Sequence, residues 1–382
     1  MIRYEQLLGP QGSARRFDWI LLAVVLVICT LGVTFIWSAS YHRSDDSGDW
    51  EPSAQPVFQI VWVAVGLAVF LMLLVPDYTH FMKAAYPLYV LGVLLLVGLF
   101  FTPKFHNVHR WYRLGTFLFQ PSEFMKVIMV LALARYLTYR ENYRQLGGLV
   151  GPLVLTLLPT VLIVREPDLG TALLLLPVFF AMLYVAGANR RHLIGIALIG
   201  LACLPLLYLY VLKDYQRDRL ICFVNPEAYM QEGGYQIMNA VCAIGSGGML
   251  GKGWGDGTQN LYGFIPADQT DFIFAVLGEE WGFLGAFGLL LLYFTVFICG
   301  LSIARNTREP FGRLIAVGVV TMLAVQVLIN IGMTVQLMPV TGLPLPFMSY
   351  GGSSLLSSFI ALALLMNVGM RRVPVLADED FK

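Results

Sequence analysis

The sequence predicts an all-α polytopic membrane protein with about ten transmembrane helices and one large extracytoplasmic loop. Two observations carry that class. Of 382 residues, 58% are apolar and only 13% charged, whereas a soluble domain carries about 25% charged residues. The apolar residues also gather into runs of about 20, the length that crosses a bilayer as helix. A mean hydropathy of +0.71 leaves too little polar surface for a water-soluble globule. A soluble enzyme, a disordered chain, a collagen and a disulfide scaffold are thereby excluded. With 25 basic and 24 acidic residues the net charge is +1, so no nucleic-acid partner is expected.

The runs lie near 18–38, 57–76, 84–102, 122–139, 149–165, 168–188, 193–212, 271–304, 313–337 and 353–370. The first follows Arg15-Arg16 with no small-residue cleavage site after it, so it reads as a retained anchor. The fifth is short and ends in Arg165-Glu166-Pro167-Asp168. The eighth is long and carries Glu279-Glu280 among glycines, which predicts a tilted or broken helix. Between the seventh and eighth lies segment 213–270, the large outer loop. It has too few apolar residues for a core of its own and is expected to pack on the membrane body. No internal repeat is evident, which argues against the common transporter folds.

An even number of spans puts both termini on one side. Arg3, Arg15, Arg16, Arg140, Arg144, Arg190, Arg191, Arg305, Arg308, Arg371 and Arg372 all fall on that side, which marks it as cytoplasmic. Lys104, Arg110, Arg113, Lys213, Arg217, Arg219 and Lys252 fall on the other. Cations there ask for a reason, and an anionic substrate at the outer face supplies one. The five cysteines show no metal-binding spacing; Cys222 and Cys242 share a loop, so either a disulfide or two packed thiols is open.

Ionisable residues at membrane depth are costly and each is a functional candidate. Glu123 and Lys126 stand three apart at the start of the fourth span, on one helix face, where they can pair. They read equally as a paired cap and as part of a cavity. Asp168 is a good N-cap for the sixth span. Arg165 beside it needs an acidic or phosphate partner if buried. Asp271 stands at the outer mouth of the eighth span, ahead of Phe-Ile-Phe-Ala-Val-Leu. Partial desolvation there raises a carboxylate's pKa and makes it a stronger base, although spacing alone favours an N-cap role. Glu279, eight residues on, is displaced by about 80° around an ideal helix and can extend the polar stripe inward.

Glycine-rich 245–255, Gly-Ser-Gly-Gly-Met-Leu-Gly-Lys-Gly-Trp-Gly, fails as a Walker A loop, because Lys252 is followed by Gly253 and not by Ser or Thr. What remains is a flexible loop whose amides and Lys252 are suited to pyrophosphate. A second such turn, 344–354, bars regular helix before the last span, so it must line a cavity or lie at the surface.

Taken together, these segments resemble the SEDS family (shape, elongation, division and sporulation) over residues 18–370. The resemblance rests on Arg110-Trp111 with Phe119-Gln120-Pro121-Ser122-Glu123, on Pro167-Asp168-Leu169-Gly170-Thr171-Ala172, on Gly234-Tyr235-Gln236, and on Ile244-Gly245-Ser246-Gly247-Gly248 with Gly251-Lys252-Gly253. It continues through Thr270-Asp271-Phe272-Ile273-Phe274 and Ser349-Tyr350-Gly351-Gly352-Ser353-Ser354. The run Pro339-Val340-Thr341-Gly342-Leu343-Pro344-Leu345-Pro346-Phe347 is closer to the elongation branch than to the division branch. The sequence departs from the family pattern at Gln269, where His is usual, and at Ala267, where Glu is common. Gln269 can donate a hydrogen bond but carries no titrating proton.

The resemblance implies a multi-pass peptidoglycan glycosyltransferase of the bacterial inner membrane that polymerises lipid II at the outer face. The donor is an α-linked polyprenyl pyrophosphate and the product β-linked, so the displacement inverts the anomeric carbon. By family position Asp271 is the base on the acceptor hydroxyl. Arg110, Arg217, Arg219 and Lys252 are the cations available to the pyrophosphate, Arg being favoured for bidentate contact. Glu123, Lys126, Asp168, Gln269 and Glu279 are expected to organise the cavity. Asp271, Glu123 and Asp168 are oxygen ligands of the kind that Mg²⁺ or Mn²⁺ accepts, so a divalent cation is a candidate cofactor. The family also implies a class B penicillin-binding protein as transpeptidase partner, with other elongation-complex membrane proteins. Two other classes compete: a flippase for lipid-linked precursors, which needs polar lining through the whole bilayer, and a non-catalytic scaffold, which tolerates loss of Asp271.

Overall fold

The structure, a computed structural model, describes residues 17–41, 54–103, 109–115, 117–140, 145–210, 212, 214–225, 233–265 and 267–371. Arg3, Arg15, Arg16, Lys104, Arg144, Lys213 and Arg372 lie outside them. Ten long helices are described: α1 (Trp19–Tyr41), α2 (Gln55–Leu74), α3 (Tyr78–Leu99), α4 (Pro121–Tyr139), α5 (Val150–Arg165), α6 (Leu169–Ala186), α7 (Arg190–Tyr210), α11 (Ile273–Asn306), α12 (Pro310–Thr334) and α13 (Gly352–Arg371). Nine of them, α5 together with the turn Leu146–Leu149 ahead of it, are apolar and long enough to cross a membrane. The remaining one, α4, carries Glu123, Lys126 and Arg135 along its length.

Local chemistry sets the helix ends. Pro121 and Pro310 occupy first-turn positions, where a missing N–H costs nothing. The Glu309 carboxylate accepts from the Phe311 and Gly312 amides and caps α12. Asp77 accepts from Thr79 N at 2.9 Å, so α3 begins at Tyr78, six residues before the apolar run expected near 84. The first turn of α3 is polar because it lies at the interface, and hydropathy does not register it.

A helix that spans must bury its polar backbone in itself and its small residues against neighbours. Thus α2 packs on α13 where Gly66 faces the Phe359 ring, and a Cβ at Gly66 would come within 2.3 Å of it. Gly318 of α12 meets Val130 of α4 in the same way, at 2.6 Å. Helices α4, α12 and α13 form the buried centre, while α7 rests mainly on α6 and is largely exposed. Ahead of α4 a short antiparallel hairpin, β1 (Tyr112–Leu114) with β2 (Phe117–Phe119), turns at Gly115, whose φ is 64°. The apolar-run pattern contains no sign of it.

Among its described residues, segment 213–270 forms three short helices, α8 (Asp214–Val224), α9 (Gly233–Ser246) and α10 (Thr258–Leu261). Its apolar cluster of Cys222, Ile237, Ala240, Ala243 and Ile265 is completed by Phe272, Ala275, Met333 and Val340. The segment therefore borrows its core from α11, α12 and the chain after α12. Cys222 is buried and Cys242 exposed, both free thiols, so the disulfide alternative is not realised. Helix α11 is broken, as its glycines suggest: Gly282 has φ 64° and ψ −160°.

Candidate active site

Three turns meet at one end of the bundle: residues 109–111 ahead of the hairpin, residues 166–168 between α5 and α6, and residues 267–272 ahead of α11. The irregular stretch 335–351 between α12 and α13 binds them together. Asp271 N donates to Ala267 O at 3.0 Å, closing its turn. The Asn330 amide donates to both Asp271 O (2.9 Å) and Leu343 O (2.8 Å). Ser349 Oγ donates to Thr270 O at 2.5 Å, and Tyr350 N to Gln269 O at 2.9 Å. Every carbonyl from 269 to 271 is thus tied to α12 or the 349–350 turn. The prolines and glycines of 339–351 leave that backbone free to make such ties.

Side chains converge on Asp271 from separate elements. Arg219 of α8 donates to Val340 O at 3.3 Å. Gly342, with φ 75°, lies beneath both groups: a Cβ there would sit 3.5 Å from Asp271 Oδ2 and 3.9 Å from Arg219 Nη1. Arg110 donates to the carbonyls of Glu166 (3.2 Å) and Pro167. Burial pushes the Asp271 carboxyl up to about 6; Arg219 and then Arg110 pull it down, and Asp168 pushes it up. Glu166 is fully buried, and neither of its carboxyl oxygens has a hydrogen-bond partner among the described residues. Burial, reinforced by Asp168 and opposed by Arg110, raises it to about 9, so at neutral pH it carries a proton. An apolar cleft formed by Pro167, Leu169, Leu173, Leu220 and Pro339 opens beside Arg219. Charged groups at an apolar cleft suit an amphiphile with an anionic head.

The other expected site residues take different places. Asp168 caps α6 through Thr171 N (3.2 Å) and also receives Thr171 Oγ1 (2.8 Å), Gln120 (3.2 Å) and Ser122 (3.3 Å), so the N-cap role and the link to α4 coexist. Lys126 pairs with Glu123 at 2.9 Å and reaches Gln326 at 3.2 Å, while Ser357 donates to Glu123. Both partners are buried, and the pair ties α4 to α12 and α13. Arg217 donates to the Tyr208 and Leu209 carbonyls and so binds the end of α7. Lys252, expected to meet pyrophosphate, pairs with Glu279 at 2.6 Å and donates to Thr258 Oγ1 at 2.7 Å. Glu279 correspondingly turns to Lys252, Thr258 and Gln259 of segment 213–270 and does not extend a stripe from Asp271. Arg165 is exposed and needs no partner. Gln269 is buried with its Nε2 unpartnered among the described residues.

Among the described residues no three His, Cys, Asp or Glu side chains converge to hold a metal. Both Asp168 oxygens are bonded within the protein, and Glu123 belongs to the Lys126 pair. Glu166 and Asn330 are not among the site residues that the sequence singles out, and Ser349 and Gly342 stand out only as members of family motifs. An acidic residue next to Pro and Asp in a short inter-span turn is the available signal for Glu166; Asn330 looks like an ordinary span residue, and the motifs do not say that Ser349 and Gly342 support Asp271.

The Cell cycle protein family FTSW_RODA_SPOVE matches residues 18–373. Peptidoglycan glycosyltransferase MrdB of Escherichia coli is 37% identical, over 93% of this chain and 94% of its own length. Among solved structures, a chain from a peptidoglycan synthase complex, described for its structural coordination of polymerization and crosslinking, superposes with a TM-score of 0.77 at 32% identity, covering 92% of this chain and 97% of that one. The rod shape determining protein RodA of Thermus thermophilus superposes with a TM-score of 0.68 at 31% identity, over 93% and 97% of the two chains.

Proposed function

The chain belongs to the FtsW/RodA/SpoVE family of cell cycle proteins, and from that premise we infer a peptidoglycan glycosyltransferase of the elongation branch that polymerises lipid II. It is an integral membrane protein. The side carrying Asp271 faces outward, because Arg140, Arg190, Arg191, Arg305, Arg308 and Arg371 gather at the opposite helix ends. The partly buried Asp271 carboxylate, flanked by Arg219 and Arg110, is the observation that carries this reading.

Asp271 takes the proton of the acceptor's sugar 4-hydroxyl as that oxygen attacks the donor's anomeric carbon. The new glycosidic bond forms on the face opposite the leaving group. The bond to pyrophosphate breaks, and the lipid pyrophosphate departs with its electron pair. Burial makes Asp271 a stronger base than a solvated aspartate. In this reading Arg219 and Arg110 are the guanidiniums that stabilise charge gathering on the leaving phosphate, and their proximity to Asp271 supports it. The apolar cleft beside Arg219 suits the first isoprene units. No step is routed through a metal. A class B penicillin-binding protein, acting as transpeptidase, is the partner this activity requires for crosslinking.

The deciding experiment is polymerisation of labelled lipid II by the purified chain with that partner, moenomycin being present to silence unrelated transferases. Glycan ladders from the wild type and none from Asp271→Asn support the assignment. Ladders from both remove Asp271 as the base, and ladders from neither return the flippase and scaffold readings.

A further inference from the structure

The break in α11 is filled by another part of the chain. A continuous helix would bond Phe283 N to Glu279 O and Leu284 N to Glu280 O. Instead Phe283 N donates to Gly248 O (2.9 Å) and Leu284 N to Met249 O (3.1 Å). The released carbonyls accept from the same loop: Lys252 N donates to Glu279 O (3.1 Å) and Gly253 N to Glu280 O (3.0 Å). Two donors and two acceptors left by the Gly282 kink are thus matched one for one by residues 248–253. Buried backbone groups demand such partners.

The fit explains the glycines. A Cβ on Gly247 would lie 2.1 Å from Gly278 O, and one on Gly251 2.1 Å from Glu280 O. Side chains lock the inserted loop. Lys252 Nζ meets Glu279 Oε1 at 2.6 Å, and that same oxygen accepts from Thr258 Oγ1 and Gln259 N, each at 3.0 Å. Glu280 accepts from Ser38 of α1 at 2.5 Å. The half-helix 273–281 is therefore held at both ends by bonds from outside itself: the loop at one, and Asn330, Ser349 and Tyr350 around Asp271 at the other.

We propose that the glycine-rich loop, through the Lys252–Glu279 clasp, is a positioning element that sets where the half-helix presents Asp271 to Arg219, and that it is not a phosphate cradle. The amides of Lys252 and Gly253, which a phosphate would need, are engaged with the helix. The proposal rests on Asp271 being the base.

The test is steady-state polymerisation of labelled lipid II across pH by the full chain with its transpeptidase partner, using Lys252→Met, Lys252→Arg and Glu279→Gln. Displacing a reacting group by about 1 Å costs up to about 100-fold in rate. Lys252→Met and Glu279→Gln are expected to lower kcat about 10- to 100-fold with the KM for lipid II unchanged, and Lys252→Arg to recover part of it. The acid limb of the rate profile is expected to move in both weak variants. The charged groups acting on Asp271 (Arg219 from α8, Arg110 ahead of the hairpin, Asp168 at the α6 cap) then stand at altered distances. A raised KM with kcat retained restores the phosphate role and overturns the proposal. So does a lower amplitude with the limb unmoved, which marks a mere loss of folded molecules. Failure of the underlying reading is separately visible as a wild-type profile with no acid limb and an active Asp271→Asn.

Discussion

Two polar clusters lie in this bundle, and they are built on opposite terms. Around Lys126 the charges are matched: one ammonium meets one carboxylate at 2.9 Å, and Gln326 and Ser357 engage what remains. Around Asp271 the count balances only because Glu166 keeps its proton. Three carboxyl groups, Asp271, Glu166 and Asp168, face two guanidiniums, Arg110 and Arg219, and Glu166 has no hydrogen-bond partner among the described residues. A closed pair holds helices together and has nothing left for a ligand. A cluster with raised pKa values and an unpartnered buried carboxyl costs stability and marks a candidate place for chemistry.

The comparison breaks most visibly at Asp271. Asp271→Asn is expected to reduce glycan output by about 100- to 10,000-fold, the range for losing a general base, with the protein still in the membrane at normal abundance. Gel-resolved ladders beside an immunoblot check both halves. On the other side, Lys126→Met leaves the Glu123 carboxylate buried and unpaired. Its cost is about 3–5 kcal/mol, read as lost abundance and a lower Tm, and the double variant Glu123→Gln/Lys126→Met recovers most of it. A Lys126→Met protein that is fully stable yet inactive contradicts the structural role.

A subtler change sharpens the electrostatics. Because Arg219 pulls the Asp271 carboxyl down, Arg219→Gln should move the acid limb of kcat/KM upward from about 6, so that the variant loses proportionally more activity at pH 6 than at pH 8. An unmoved limb separates Arg219 from the base. The smallest effect on activity is expected at Glu166. Its folded-state pKa is raised from 4.5 to about 9, so folding takes up a proton across that window. Its contribution to stability is fully present below about 4.5 and is lost as pH rises through 9, at no more than about 1.4 kcal/mol per pH unit. Glu166→Gln, similar in shape and uncharged, should retain most activity at neutral pH and flatten that slope, as thermal melts at several pH values will show.

Much of the bundle was legible in the sequence because crossing a bilayer imposes a length and a composition that a window of residues reveals. The break in α11 was legible too, since glycines beside Glu279-Glu280 do not make a plain span. The hairpin before α4 was not, because two strands of three residues leave no periodic trace. Asp271 was found from its position ahead of an apolar run and from its family motif. Lys252 was assigned to phosphate from its glycine-rich neighbourhood, and only its contact with Glu279, 27 residues away, gives it another partner.

The sequence by itself determined the class of molecule, the approximate course of its spans and the aspartate ahead of the apolar run of α11, because each is written in contiguous residues. Only the tertiary structure decided which charges face one another. Arg219 reaches Asp271 from a helix some fifty residues upstream, Asn330 holds its backbone from α12, and a distant loop fills the gap in its own helix. Hydrogen bonds and Coulomb interactions act through space over a few ångströms, and one-dimensional spacing does not encode such proximity until the chain has packed.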